Sequence, residues 1–164
     1  MSTDPRVNSL DKLTPPFPLP HVSRRALARV AHPLPIPTTC RFCAGVVELV
    51  ENSAIYNGRT YGDWPYAYFC GGCHAYVGLH PDTDLPLGTL ADKRTREARN
   101  TCKRTFEAIW RDKHMSRTQA YQWLADQMRL STAETHFGLF EPQQCKEAEA
   151  YCMDYLDNIP IVRR

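Results

Sequence analysis

Two pairs of cysteines constrain this chain more than any other feature. Cys40 and Cys43 in "TTCRFCAG", and Cys70 and Cys73 in "YFCGGCHAYVG", are both Cys-x-x-Cys pairs, separated by residues 44–69. A tetrahedral metal takes four ligands, and two such turns joined by a short sheet place four thiolates around one Zn²⁺ at about 2.3 Å. The spacing therefore predicts one structural zinc held by Cys40, Cys43, Cys70 and Cys73, with no coordination position left for water. Cys70, Cys73 and His74 also spell the attachment signal of a c-type haem. That reading needs an oxidising compartment and leaves Cys40 and Cys43 without a role, so no haem is expected. A redox dithiol would sit in a βαβ context, which this stretch lacks. His74 is expected beside the metal shell rather than in it, and Gly45, Gly71 and Gly72 are expected to ease the two turns by letting backbone amides point at the sulfurs without Cβ clashes.

The cysteine count is seven, an odd number that cannot pair completely within one chain. The N-terminus "MSTDPRVNSLDKL" lacks the layout of a secretory signal, and no apolar run reaches the roughly 20 residues that span a bilayer. The expectation is a cytoplasmic protein of a bacterial cell with no membrane partner, in which thiols stay reduced. Cys102, Cys145 and Cys152 then read as small hydrophobes on helix faces. A net charge of +2 argues neither for nor against a polyanion partner.

Three regions follow from composition. Residues 1–37 hold eight of the 13 prolines and read as a proline-rich arm with one short helix possible in "VSRRALARVA". Residues 38–88 are rich in aromatic and β-branched residues. "VVELV", "AIY" and "YAYF" read as strands and "YNGR" as a hairpin turn, giving a small antiparallel sheet that needs a metal staple. Residues 89–164 read as a compact bundle of about four helices, packed on the ribbon as one unit. The first is expected from Leu90 to about Lys113, capped by Thr89 and Asp92. The second follows "SRTQ" at Ser116, the third follows "STAE" at Ser131, and the fourth starts at Pro142. The fold class is α+β: a four-cysteine zinc ribbon followed by a helical bundle.

Candidate chemistry outside the cysteines is sparser. His80, Asp82 and Asp84 lie in one loop, "GLHPDTDLPLG", and are the residues a metal-dependent nuclease would use. The pattern is incomplete, and a structural loop is the favoured reading. Lys93, Arg96, Arg99, Lys103, Arg104 and Arg111 share an arc of the first helix and form a candidate DNA or RNA surface. Trp64, Tyr66 and Tyr68 are candidate anchors for a protein partner.

The order of "CRFC", "YFCGGCHAYVGLHPDTDLPLGTLAD", "SRTQAYQWLADQM" and "THFGLFEPQQC" resembles a small zinc-finger-containing family of unknown function, encoded mainly in bacteriophages, prophages and bacterial genomes. The similarity covers roughly Cys40 to Cys145. It implies that Cys40, Cys43, Cys70 and Cys73 are the metal ligands and draws attention to His80, Arg117, Tyr121, Trp123, His136 and Gly138. Cys102 stands near where the family leads one to expect an Ala-His pair. The expected function is non-catalytic: an accessory protein that docks on a host or phage machine of transcription, replication or defence. Direct nucleic-acid binding through the 90–113 helix and a nuclease centred on His80 are the alternatives.

Overall fold

A computed structural model describes residues 3–112 and 114–159. The chain falls into two compact units, Met1–Asp92 and Lys93–Arg164.

The first unit is built on a three-stranded antiparallel sheet in the order β1 (Val47–Glu51), β2 (Tyr66–Cys70), β3 (Tyr76–Gly78). Its register pairs Val47 with Cys70 and Tyr68 with both Leu49 and Val77. Tyr68 is thus the central rung, 3% exposed, and is surrounded by Cys40, Val47, Cys70, Val77, Leu79 and Leu90. The expected strand at "AIY" does not form. Asn52–Ala54 make a turn of 3-10 helix instead, and Asn57 and Gly58, with φ of 53° and 85°, turn the loop without pairing two strands. Here the side chain of Asn52 exchanges hydrogen bonds with the backbone of Tyr61. An asparagine that binds backbone locally competes with the sheet ladder and wins.

Residues 1–37, expected as an arm, belong to this unit. Their prolines disfavour regular structure, and some of the apolar residues between them are buried while Leu10 and Phe17 stay exposed. Leu19 joins the ribbon core, while Leu27 and Val30 pack with Leu85. The short helix α1 (Arg24–Leu27) is a single turn, capped by Ser23 Oγ, which accepts from the Ala26 N–H. Arg6 fastens the segment: its guanidinium donates to Asp84 at 2.7 and 2.8 Å and to Asp4 at 2.8 and 3.0 Å. Both carboxylates are buried, and Asp4 is held below the ordinary carboxylate value, first by its side-chain bond to Arg6.

Of Leu90 and Ala91, expected as the first turn of a helix, Leu90 packs into the ribbon core and Ala91 bridges to the sheet instead. Ala91 exchanges both backbone hydrogen bonds with Tyr76, at 3.0 and 3.1 Å. With those residues committed to the ribbon, α2 starts later, at Lys93, and ends at Arg111.

The second unit packs α2, α3 (Arg117–Met128) and α4 (Pro142–Asp157) around Cys102, Phe106, Ile109, Leu124, Phe137, Phe140, Cys145 and Cys152. Ser116 and Gln119 form the capping box expected for α3. The expected third helix is absent. Ser131 and Glu134 do form their capping bonds, but the chain then leaves the helix, because Thr135, Phe137 and Phe140 all turn inward at spacings no helix face provides. On α4, Cys145, Ala148 and Cys152 are buried as expected, whereas Tyr151 is 39% exposed.

Replacing Arg6 with alanine would leave two buried carboxylates without their cation. The loss should be about 2 kcal/mol, below the buried-pair range because Arg6 is itself one-third exposed. Urea unfolding with zinc in excess measures it, and an unchanged midpoint would contradict the clamp. His136 supplies a second check, because its Nδ1 accepts the Gly138 N–H at 3.1 Å. Partial burial first, then Lys103, Arg99 and Arg117, pull its imidazole below the ordinary 6.5. The unfolded chain therefore takes up the proton more readily. This stability is full above about pH 6.5 and declines as pH falls toward the lower folded value, then levels off. An NMR titration of the imidazole Hε1 should give a midpoint below 6.5.

Candidate metal centre

Each cysteine pair sits in the same backbone device. The Cys40 N–H donates to the Gly45 carbonyl and the Ala44 N–H to the Cys40 carbonyl, both at 2.8 Å. In the second turn the Cys70 N–H donates to Ala75 at 2.9 Å and the His74 N–H to Cys70 at 2.8 Å. The residue after each second cysteine is left-handed: Ala44 has φ of 60° and His74 has φ of 63°. β1 leaves the first turn and β2 enters the second. Because Val47 faces Cys70, the sheet brings both turns to one end.

The four sulfurs converge there, all within 4.8 Å of one another. Cys40 Sγ lies 3.4 Å from Cys73 Sγ, and Cys43 Sγ 3.4 Å from Cys70 Sγ. A ZnS₄ tetrahedron with bonds of 2.3 Å has edges of about 3.8 Å, so the donor set fits the ion. Backbone amides point at the sulfurs. That of Phe42 is 3.4 Å from Cys40 Sγ, and the Cys70 thiol is drawn down to about 7, chiefly by the backbone amide of Cys73. His74 contributes its backbone to the turn, and its ring lies edge-on to Phe69, 5.6 Å away. Gly45 meets the expectation that a glycine keeps the turn free of Cβ clashes, and Gly71 does not. None of Gly45, Gly71 and Gly72 has positive φ, but a Cβ on Gly45 would sit 3.3 Å from both Cys43 Sγ and Cys70 Sγ. Gly45 is there for space, and Gly71 has nothing within 4 Å.

The closed thiolate set and the paired turns define a zinc-finger protein with one structural zinc. Residues 36–155 match the DUF3268 family of zinc-finger-containing domains, and the chain belongs to that family. No curated protein and no solved structure matches it.

The remaining candidates are placed less favourably for chemistry. Among the described residues, the four cysteines are the one cluster of His, Cys, Asp or Glu able to hold a metal. His80, Asp82 and Asp84 form no such group. The Asp84 carboxylate is taken by Arg6, Asp82 Oδ1 meets His21 Nε2 at 2.9 Å, and the His80 backbone closes the loop through Leu85 and Thr83. Tyr68 is no surface anchor. Its hydroxyl donates to the Asp84 carbonyl at 2.6 Å, and burial pushes its phenol up. Trp64 is half-buried against Tyr66 and donates its indole N–H to Thr83.

Within the basic arc, Arg99 is only 9% exposed and its Nε donates to the Phe140 carbonyl at 2.9 Å. On a helical wheel it lies about 20° from Phe106, inside the buried sector. Lys93 pairs with Glu97, and Lys103 and Arg111 both reach Glu107. Among the described residues, no helix is long and apolar enough to cross a membrane.

Three exposed apolar side chains flank the first cysteine turn in sequence, where none was expected: Ile36, Phe42 at 40% and Val46 at 73% exposed. Phe42 was visible in "CRFC", since the inner residues of a metal turn face away from the ion. Its ring carries the Arg41 guanidinium at 4.7 Å.

Gly45→Ala should weaken zinc binding by about tenfold or more, the scale of outer-layer defects around a metal, while Gly71→Ala should leave it unchanged. Competition against a chromophoric chelator reads both. Equal affinities for the two variants would refute the space argument.

Proposed function

We propose that this protein is an accessory module that binds a macromolecular partner through the outer face of its first cysteine turn, and that it performs no catalysis. The observation that carries the reading is the pairing of a closed four-thiolate centre with exposed apolar side chains on the same turn. Four protein ligands leave zinc no site for substrate, so the ion serves to hold backbone rigid. A rigid turn presenting Phe42 and Val46 loses little entropy on association. Beside it, Leu34, Ile36, Pro37 and Leu90 line a cavity of about 230 Å³ that a partner's side chain would fill.

In the fuller form of this proposal the partner is a host or phage protein complex of transcription, replication or defence. The resemblance of the motif order to a phage and prophage family supports that form. Direct DNA or RNA binding along α2 has weaker support, because Arg99 is buried and Glu97 and Glu107 engage three of the other cations. Cleavage centred on His80 has the least, given the partners of Asp82 and Asp84.

The test recovers tagged protein from a bacterial host lysate, with and without nuclease, beside Phe42→Ser and Val46→Asp variants of unchanged zinc content. A protein partner that survives nuclease and is lost from both variants is the expected result. Partners that vanish with nuclease, or that both variants retain, would overturn it.

A further inference from the structure

The groove between α3 and α4 has a lining that neither the zinc centre nor the docking proposal explains. Asp154 and Tyr155 of α4 and its C-cap Asn158 lie three, four and seven residues after Tyr151, so they share one face. Trp123 of α3 forms the facing wall, and His114 closes one end. With Gln127 and Ile159 they line an open groove of about 380 Å³, within the range of small-ligand sites.

The chemistry of that lining selects the sign of what enters. The Trp123 and Tyr155 rings stand 5.1 Å apart and tilted by 55°, which makes two adjoining aromatic walls. Tyr151 stands exposed at the mouth. Among the described residues, Asp154 is the one carboxylate in the lining, and none of the lining residues is a lysine or arginine. Asn158 Nδ2 donates to Asp154 Oδ1 at 3.1 Å, fixing the carboxylate while leaving it further acceptor sites. α4 as a whole carries four acidic residues and one lysine, so its field favours a cation. A bare metal ion would want several oxygen ligands, and this groove offers one carboxylate. A cation with an apolar surface can meet the ring faces and the carboxylate together.

We infer that the α3–α4 groove is a binding site for an organic cation, an alkylammonium or guanidinium group, carried either by a small molecule or by a lysine or arginine side chain of a protein.

The test follows the Trp123 indole N–H by NMR in the full-length, zinc-loaded protein, with the signal assigned through Trp123→Phe. Choline, 3,3-dimethylbutanol as its uncharged counterpart, and doubly blocked arginine and lysine are titrated in turn. At least one cation should shift the signal saturably, with a dissociation constant about tenfold or more below that of the alcohol. Asp154→Asn and Tyr151→Leu, both surface changes, should each weaken it about fivefold while the remaining spectrum is unmoved. Tighter binding of blocked arginine or lysine assigns the source to a protein side chain, and tighter binding of choline to a small molecule. Equal binding of the alcohol, or no saturable shift from any cation to about 50 mM, overturns the inference.

Discussion

The register that sets Val47 opposite Cys70 is the constraint on which the first unit depends. It fixes which end of the sheet each cysteine turn occupies. A slip of one residue would turn every side chain to the other face and separate the sulfur pairs. Such a small sheet does not specify register strongly by itself. The metal and the central Tyr68 rung do so together, one binding the sulfurs at the end and the other burying a ring in the middle.

Much of this was legible in the sequence because it rests on local chemistry. Cys-x-x-Cys needs only its own turn, Ser116 needs only Gln119, and Pro142 starts a helix by its own geometry. What was not legible depends on partners distant in the chain. Leu90 and Ala91 have the composition of a helix start, yet Tyr76 draws Ala91 to the sheet and the ribbon core takes Leu90. "STAE" has the correct caps, yet the burial of Phe137 and Phe140 stops the helix they announce. Arg99 belongs by charge to the basic arc and by angle to the core, and the Phe140 carbonyl decides between them.

The N-terminal residues show the same competition. Proline density is a sound reason to expect no regular structure there, and little forms. Irregular backbone can still be well packed. Leu19, Leu27 and Val30 are placed by largely irregular chain, and Arg6 links two carboxylates separated by most of the unit's length. Of the aromatic residues first read as anchors, Tyr68 is the sheet's interior and Trp64 is half-buried, while Phe42, inside the first cysteine turn, is exposed.

All four zinc ligands lie in Met1–Asp92, and none in Lys93–Arg164. An ion that binds only the folded form couples the stability of the first unit to free zinc, by about 1.4 kcal/mol for each tenfold change in the saturating range. The second unit packs its three cysteines in its own core and supplies none of the ligands. A fall in free zinc would therefore weaken the fold of Met1–Asp92 directly, through the ligands that unit holds.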